Sequence, residues 1–231
     1  MSDNKQPHYQ GAFFGRRKGH ALCARQAALL ETLLPTLALD LATPAPTNLC
    51  ALFDGVDDVR LESGFGGGEH LAAEAARQPR TGFIGIEPFV NGMAKALALI
   101  EEHKLANIRL HHGDATEVMA WLPSASISRF DLIYPDPWPK RRHWKRRFVQ
   151  DKSVEDIGRI LRPGGEFRFA SDIPDYVAWT LVRLLRSPDF TWIAEQADDW
   201  RKPWPGFTST RYEAKAMREG RVPCYLIFRR V

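Results

Sequence analysis

The sequence predicts an α/β protein with a mostly parallel sheet. Short apolar runs alternate with stretches of helical periodicity from residue 59 onward, and strands that are joined through a helix in this way run parallel. The chain has 231 residues, of which 44% are hydrophobic, and this suffices for one sizeable core. We therefore expect a mostly parallel seven-stranded sheet with an antiparallel edge strand, because the last two strands lack a full crossover between them.

The predicted elements follow one another along the chain. Residues 21–34 have helical periodicity, which Pro35 is expected to end. Apolar runs predict strands at residues 59–63, 81–87, 107–112, 129–134, 166–171, 190–196 and 224–230. Helical periodicity predicts helices at residues 69–78, 88–104, 116–122, 147–161, 175–187 and 211–219. Ligands of such sheets bind beyond the carboxyl ends of the strands, so we expect the functional residues there.

Composition narrows the class of protein. Residues 1–20 lack the apolar core of a signal peptide, and no later apolar run is long enough to span a bilayer. The three cysteines, Cys23, Cys50 and Cys224, are far apart and lack metal-ligand spacing, which argues against a disulfide framework and a zinc site. We expect a cytoplasmic protein without a metal ion, a membrane association or an obligate protein partner. We also expect a disordered tail at residues 1–12 and a single domain at 13–231 with an N-terminal helical and basic extension.

A glycine-rich turn, ESGFGGGE at residues 62–69, joins a predicted strand to the helix that follows it. Glycines such as Gly64 and Gly66 permit a tight turn and a close approach of a ligand to the backbone. The dinucleotide pattern G-x-G-x-x-G fails, because Glu69 stands at its last glycine. The pattern E-x-G-x-G-x-G fits from Glu62 onward. It is typical of proteins that bind S-adenosylmethionine, whose positive sulfonium and ammonium groups suit a nearby carboxylate.

Two further acids follow the next two strands. Glu87 ends the second of these strands, a position from which an acid accepts hydrogen bonds from ribose hydroxyls. Asp114 follows the third and is a candidate acceptor for the adenine amino group. Each acid alone fits a helix N-cap or a turn equally well. Three acids at three successive strand ends favour a cofactor site, so we expect Glu62, Gly64, Gly66, Glu87 and Asp114 to bind S-adenosylmethionine.

The segment PDPWPKRRHWKRR, residues 135–147, combines a constrained acid with dense positive charge. Prolines at positions 135, 137 and 139 each fix one φ angle, so the backbone is expected to position Asp136. Six of the eight residues from Lys140 to Arg147 are basic, and aromatic residues are interleaved with them. Phosphate binding and base stacking require cations beside aromatic rings, which predicts an RNA-binding surface. A second basic cluster, Arg16 to Lys18, is hypothesised to be a further phosphate contact.

Together these motifs resemble the bacterial tRNA (guanine-N7-)-methyltransferase family. The resemblance covers about residues 11–231 and rests on LESGFGGGEH, FIGIEP, GDA, PDPWPKRRHWKRR, ASD at 170–172 and TSTRYEAKA near the end. The proline-tryptophan-basic block and the late T-x-Y-E are specific to that family, whereas methyltransferases in general share the glycine turn. The resemblance implies a Rossmann-like class I fold and S-adenosylmethionine-dependent methylation of guanine N7 in tRNA, at position 46 of the variable loop.

The resemblance also implies roles for individual residues. Asp136 is implied to contact the cofactor and to be the catalytic residue. The residues implied to contact the substrate nucleoside are Lys140, Asp172, Thr210, Arg211, Tyr212 and Glu213. Those implied to bind the rest of the RNA are Arg142, His143, Trp144, Lys145, Arg146 and Arg147.

The chemistry of guanine gives the acids a physical role. N7 already carries a lone pair, so methyl transfer needs in-line positioning and a site that tolerates positive charge on the purine, and it needs no general base. A fixed carboxylate supplies that tolerance, and it also accepts two hydrogen bonds from the N1–H and 2-amino groups of guanine. Asp136, Asp172 and Glu213 are the candidates for these roles, and the sequence does not divide the roles among them. Trp138 or Trp144 is a candidate to stack on a base.

Two other functions remain alternatives at this stage. An amino methyltransferase acting on adenine or cytosine carries a D-P-P-aromatic loop at the same strand end. Here the order Pro135-Asp136-Pro137-Trp138 displaces the acid by one position. A catalytically silent RNA-binding protein would not need an intact set of cofactor acids, and a measurement of cofactor binding distinguishes it from an enzyme.

Overall fold

The structure is a computed structural model that describes residue 15 and residues 17–231. The strands of its sheet are β1 (Asp58–Ser63), β2 (Thr81–Ile86), β3 (Ile108–His111), β4 (Ile127–Ile133), β5 (Leu161–Ser171), β6 (Phe190–Trp192) and β7 (Cys224–Arg230). Their order is β3-β2-β1-β4-β5-β7-β6. β7 runs antiparallel to both of its neighbours, and the other neighbouring strands are parallel. The predicted fold class is confirmed. The antiparallel strand is β7, which lies next to the edge strand β6.

The helices lie between these strands and before the first of them. The α-helices of the described residues are α1 (Ala24–Thr32), α2 (Leu34–Leu37), α3 (Glu69–Arg77), α4 (Val90–Glu102), α5 (Ala115–Trp121), α6 (Asp151–Ile160), α7 (Pro174–Arg186), α8 (Asp198–Arg201) and α9 (Arg211–Arg218). Two 3-10 helices span Leu49–Leu52 and Arg141–Arg146. No helix in this part of the chain is long and apolar enough to cross a membrane. The predicted tail at residues 1–12 lies outside the described residues, and so does Arg16.

Pro35 does not end the first helix as predicted. α1 ends at Thr32, and α2 begins at Leu34 with Pro35 in its first turn. The missing N–H of proline needs no partner in a first turn, so a proline begins a helix as readily as it stops one.

The helix predicted at residues 147–161 begins later than expected. α6 starts at Asp151 because Gln150 and Ser153 form a reciprocal cap, in which the backbone N–H of Gln150 donates to the Ser153 hydroxyl at 2.8 Å. The basic residues before this cap form the 3-10 helix Arg141–Arg146 instead. The basic segment is therefore a separate short helix between β4 and α6.

The central strands have one apolar face and one charged face. On the apolar face, Leu61 of β1 lies beside Phe130 of β4, which lies beside Phe167 of β5. All three side chains are fully buried and belong to the main hydrophobic core. Their burial supplies most of the free energy that holds the sheet against its helices on this side.

The opposite face of β1 and β4 is charged and lies beneath α3. Arg60 of β1 lies beside Arg129 of β4. Glu74 of α3 is buried, and its carboxylate is 2.5 Å from Nη2 of Arg129 and 3.8 Å from Nη1 of Arg60. Asp131 accepts a hydrogen bond of 2.8 Å from Nε of Arg129. These opposite charges compensate one another away from water, and they fix the position of α3 on the sheet.

The strand order reverses at β1. The chain proceeds from β1 to β2 and β3 on one side, and β4 and β5 lie on the other side. The carboxyl ends of β1 and β4 therefore flank the crevice in which open α/β sheets bind their ligands.

We expect Glu74→Ala to lower the free energy of unfolding by about 3 kcal/mol, because it removes one of the two carboxylates that pair with the buried Arg129 and leaves only Asp131. The matched control is Glu101→Ala in α4, whose carboxylate lies 2.8 Å from Nη2 of Arg25 with both side chains well exposed. Solvent screens that pair, so its loss should change the unfolding free energy far less. Urea unfolding followed by circular dichroism measures both variants. Equal losses from the two substitutions would contradict a stabilising role for the charged layer.

Candidate active site

A cleft of about 850 Å³ opens at the carboxyl ends of the parallel strands. Its wall contains Gly64 and Gly66 of the glycine turn, Glu87 after β2, Asp114 before α5 and Asp136 after β4. Five residues predicted separately for cofactor binding therefore line one cavity. Apolar side chains such as Ile86 and Leu132 lie between these groups, and residues of the basic segment also belong to the wall.

The glycine turn between β1 and α3 adopts a conformation that other residues avoid. Gly66 has a φ of +59° and Gly68 a φ of +79°. A Cβ atom on Gly68 would lie 2.6 Å from Cβ of Ala96 in α4, a distance that packed carbon atoms do not reach. Glycine at this position therefore lets α3 pack on α4 while the turn keeps its backbone beside the cleft.

Glu87 is a buried carboxylate that stabilises the glycine turn. One of its oxygens accepts a hydrogen bond of 2.7 Å from the N–H of Gly66, and the other accepts one of 2.8 Å from the N–H of Phe89. Burial raises the pKa of Glu87 to about 7, although these two hydrogen bonds oppose the rise. The negative charges of Asp136 and Glu62 add to it. Glu87 therefore changes its charge near neutral pH.

Asp114 caps α5 and keeps one oxygen available. Its Oδ1 accepts hydrogen bonds from the backbone N–H of Thr116 at 2.9 Å and from the Thr116 hydroxyl at 2.8 Å. Oδ2 has no hydrogen bond to the described residues. The N-cap role and the binding role, which the sequence left as alternatives, are therefore compatible in one side chain.

Glu62 is not among the residues that line the cleft, and its expected contact with the cofactor stays a prediction. Side chains alternate along β1, and Glu62 points beneath α3, where Nδ1 of His70 lies 2.8 Å from its carboxylate. Burial alone would lower the pKa of His70, but the charge and the hydrogen bond of Glu62 outweigh it and raise that pKa. Sequence analysis missed His70, because only the orientation of α3 brings the two residues together.

The loop after β4 is strained at both ends. Tyr134 has a φ of 50° and Trp138 a φ of 41°, values in the left-handed region that side chains with a Cβ seldom adopt. Such residues cost on the order of 1–3 kcal/mol each, and they persist only where the surroundings determine them. Asp136 lies between them and lines the cleft. Asp136 is exposed, and its carboxylate accepts no hydrogen bond and pairs with no cation among the described residues. Desolvation by the surrounding cleft raises its pKa.

Two residues predicted to contact ligands instead hold this loop. Arg147 was expected at the RNA, but its side chain is 0% exposed and its Nε donates a hydrogen bond of 2.9 Å to the carbonyl of Pro137. Glu213 was expected at the nucleoside, but it is buried and accepts a hydrogen bond from the Tyr225 hydroxyl. The Tyr134 hydroxyl donates to the same carboxylate oxygen at 3.3 Å. Both side chains are buried, and their charges are engaged with these partners, although Arg147 also belongs to the wall of the cleft.

Three other residues expected at the nucleoside, Asp172, Lys140 and Thr210, are not among the residues that line the cleft. Asp172 is buried and one of its oxygens pairs with Arg221. Lys140 is exposed before the 3-10 helix. Thr210 caps α9, since its hydroxyl accepts a hydrogen bond of 3.2 Å from the N–H of Glu213. Sequence analysis missed Arg221, which lies far from Asp172 along the chain.

The start of α9 lies against the glycine turn. Tyr212 is 60% exposed and lines the cleft, and one of its ring carbons is 3.4 Å from the position of a Cβ atom on Gly66. The neighbouring Arg211 pairs with Glu69, at the first position of α3, with 2.7 Å between Nε and Oε1. The T-x-Y-E segment therefore contacts the same turn that was predicted to bind the cofactor.

The basic segment divides into exposed and packed side chains. Arg142 and Lys145 are exposed, and Lys145 also lines the cleft. The guanidinium of Arg146 lies 4.9 Å from the centre of the Trp138 ring, and His143 meets that ring edge-on at 5.8 Å. The ring of Trp144 packs edge-on against Trp179, with 5.3 Å between centroids, so it contributes to packing. Its role as an RNA contact is correspondingly reduced.

Arg17 and the residues that follow it contact the start of α4. The backbone carbonyl of Arg17 accepts a hydrogen bond of 3.0 Å from the N–H of Val90, at the start of α4. Asn91 donates to the carbonyl of His20 at 2.8 Å and accepts from the N–H of Gly19 at 2.7 Å. Gly15 lines the cleft. These contacts fix the N-terminal extension beside the site.

Comparison with known proteins identifies close relatives. Residues 57–225 match the protein family described as "Putative methyltransferase". A protein named tRNA (guanine-N(7)-)-methyltransferase from Rhodopseudomonas palustris (strain BisB5) is 63% identical over 229 residues, covering 99% of this chain and 90% of that protein. The protein of the same name from Bradyrhizobium diazoefficiens is 64% identical over 230 residues, covering 99% of this chain and 98% of that protein.

Solved structures have the same Rossmann-like methyltransferase fold at low identity. A "putative methyltransferase" from Streptococcus mutans in complex with SAH matches with a TM-score of 0.51 and 11% identity over 91% of this chain and 100% of that chain. Precorrin-6y C5,15-methyltransferase from Geobacter metallireducens matches with a TM-score of 0.51 and 14% identity over 76% of this chain and 82% of that chain. These likenesses concern the fold alone. The near full-length identities go further: this chain belongs to the tRNA (guanine-N(7)-)-methyltransferase family.

Proposed function

We propose that this chain transfers the methyl group of S-adenosylmethionine to N7 of a guanine in tRNA. Membership of the family supports the reaction, and the resemblance in the sequence supports position 46 of the variable loop. The observation that carries the proposal is Asp136, a carboxylate in the cleft without a partner among the described residues, next to the glycine turn and the acids of β2 and α5.

The residues of the cleft fit S-adenosylmethionine. Oδ2 of Asp114 is available to the adenine amino group, and the two carboxylate oxygens of Glu87 retain lone pairs for ribose hydroxyls. Gly64 and Gly66 allow the backbone to approach the methionine part. When bound, the cofactor supplies a methyl group activated by its sulfonium. Glu62 supports the cofactor site indirectly, because its contact with His70 holds α3 and the glycine turn in position.

Asp136 is the proposed catalytic residue. Guanine N7 attacks with its own lone pair, and positive charge then develops on the purine. A carboxylate fixed beside the base stabilises that charge without reorganising, since the loop between Tyr134 and Trp138 already has its conformation. Because Asp136 carries no counter-charge from the described residues, its whole negative charge is available to the substrate.

The structure favours Asp136 among the three acids proposed to recognise guanine. Glu213 is enclosed with Tyr225, and Asp172 uses one oxygen for Arg221. Asp172 keeps its other oxygen, so it remains a proposed second contact to the nucleoside. Tyr212 offers an exposed ring over the glycine turn, and we assign it the role of packing against the base.

The remaining contacts are proposed for the body of the tRNA. Lys140, Arg142 and Lys145 are exposed cations on one short helix and its N-cap, next to the half-buried His143 and Arg146. Arg17 and Lys18 are exposed and follow Gly15, which lines the cleft, and they are proposed as further phosphate contacts. Such groups bind phosphates by releasing counterions. Because the proposed substrate is tRNA, we place the protein in the cytoplasm and assign it no obligate protein partner.

We expect Asp136→Asn to reduce methyl transfer to unmodified tRNA by about 100- to 1,000-fold, the usual effect of removing a group that stabilises developing charge. The assay follows labelled S-adenosylmethionine and identifies 7-methylguanosine by nucleoside analysis. The control is Asp54→Asn, an exposed acid before the amino end of β1, which should retain wild-type activity. Wild-type protein that binds tRNA without methylating it would instead support the silent RNA-binding alternative.

We expect the affinity of the wild type for S-adenosylmethionine to increase between pH 6 and pH 8. The factor of this increase should be about ten times larger than the corresponding factor for Glu87→Gln. At the lower pH Glu87, with a pKa of about 7, is mostly protonated and is a poorer acceptor for ribose hydroxyls. Calorimetric titration at several pH values measures the difference. The cofactor amino group titrates with both proteins, so the comparison isolates Glu87. Parallel pH profiles would exclude Glu87 from the ribose site.

We expect Arg142→Ala and Lys145→Ala each to weaken tRNA binding and to lower the slope of log Kd against log salt by about one unit. The matched control is Arg80→Ala, which removes an exposed arginine next to the amino end of β2, away from the cleft. Filter binding at several salt concentrations gives the slopes. An unchanged slope in the first two variants would remove the 3-10 helix from the tRNA surface.

A further inference from the structure

Arg147 is a buried arginine at the wall of the cleft. Its side chain is 0% exposed, whereas its neighbours Arg142 and Lys145 are exposed. Arginine is almost never fully buried unless a specific partner compensates its charge. The burial of Arg147 within a basic segment therefore indicates a role inside the protein.

Aromatic rings surround the guanidinium of Arg147. The distances from its central carbon to the ring centroids are 5.0 Å for Trp144, 4.9 Å for Tyr176 and 5.0 Å for Trp179. Trp179 is itself fixed, because its Nε1 donates a hydrogen bond of 2.6 Å to the carbonyl of Val149. Rings in this arrangement stabilise a cation and hold the plane of the guanidinium in one orientation.

The polar contacts of Arg147 join the loop after β4 to the start of α7. Nε donates a hydrogen bond of 2.9 Å to the carbonyl of Pro137, and Nη2 pairs with the carboxylate of Asp175. Proline has no N–H, so the carbonyl is the only polar backbone group of Pro137. Pro137 directly follows Asp136, and it precedes Trp138 with its strained φ. Arg147 therefore fixes the peptide unit next to the proposed catalytic carboxylate.

We propose that Arg147 is a positioning residue for Asp136 and makes no contact with RNA. This inference rests on the proposed function. Arg147 compensates the strain of the loop through its hydrogen bond to Pro137, and its ion pair with Asp175 transmits the rigidity of α7 to that loop. The carboxylate of Asp136 then meets the base without a prior rearrangement.

The chemistry of the guanidinium makes the role specific to arginine. Its planar fork donates to Pro137 and Asp175 at the same time while its faces contact the rings. A lysine ammonium is a compact charge that lacks this plane and cannot reproduce both contacts in the same geometry. Arg147→Lys therefore keeps the charge and removes the positioning.

The test compares Arg147→Lys with Asp175→Asn and with Arg142→Ala. Single-turnover methyl transfer at saturating cofactor and tRNA gives the rate, and titration with S-adenosylmethionine counts the protein that is competent to bind. We expect the rate per competent molecule to fall at least 30-fold in Arg147→Lys and roughly threefold in Asp175→Asn. The Kd for tRNA and its salt slope should stay within about twofold of wild type in both.

Arg142→Ala should show the opposite pattern, with weaker tRNA binding and a lower salt slope. A lower salt slope in Arg147→Lys together with an unchanged saturated rate would overturn the proposal in favour of a phosphate contact.

An unchanged rate per competent molecule with a lower melting temperature would also overturn it, because Arg147 would then stabilise the fold without positioning Asp136. If Arg147→Lys does not fold, Asp175→Asn decides alone, and a wild-type saturated rate in it overturns the proposal. Absence of methyl transfer by the wild type would refute the proposed function itself.

Discussion

The alternation of side chains along the central strands determines where the charges of this protein lie. β1 and β4 present one face to a fully apolar core and the other face to the buried charges beneath α3. A residue therefore enters the core, the charged layer or the cleft according to its parity in the strand and its distance from the strand end. Glu62 belongs to the charged layer for this reason, although it stands at the beginning of the glycine turn. The position of α3, and with it the shape of the turn, depends on that layer.

Several parts of the site were predictable because they depend on local chemistry. Strand and helix periodicity gave the order of the elements, and the rule for parallel sheets gave the edge at which ligands bind. Gly64, Gly66, Glu87, Asp114 and Asp136 share the cleft because each lies no more than three residues after the end of a parallel strand. Their positions require no knowledge of side-chain packing.

The roles that could not be predicted depend on partners that are remote in sequence or brought close by a helix. Arg147 and Asp175 are 28 residues apart, and Glu213 and Tyr225 are 12 apart. The basic segment and the T-x-Y-E motif do not indicate which of their charged side chains are buried. Burial of Arg147 and Glu213 depends on the aromatic rings that α7 and β7 supply. The start of α6 at Asp151 differs from the prediction for a more local reason, because the cap formed by Gln150 and Ser153 sets it. Pro35 begins α2 where it was expected to end a helix, because a proline fits the first turn of a helix.

The ion pair between Arg211 and Glu69 connects the beginning of α9 with the beginning of α3. α9 begins after Thr210, the first residue of the T-x-Y-E segment, and α3 begins after the glycine turn. The ion pair therefore connects two segments that contribute residues to the wall of the cleft. If the bound cofactor changes the affinity for the nucleic acid by some factor, then the bound nucleic acid changes the affinity for the cofactor by the same factor. The complex of the protein with both ligands therefore has the same free energy whichever ligand binds first.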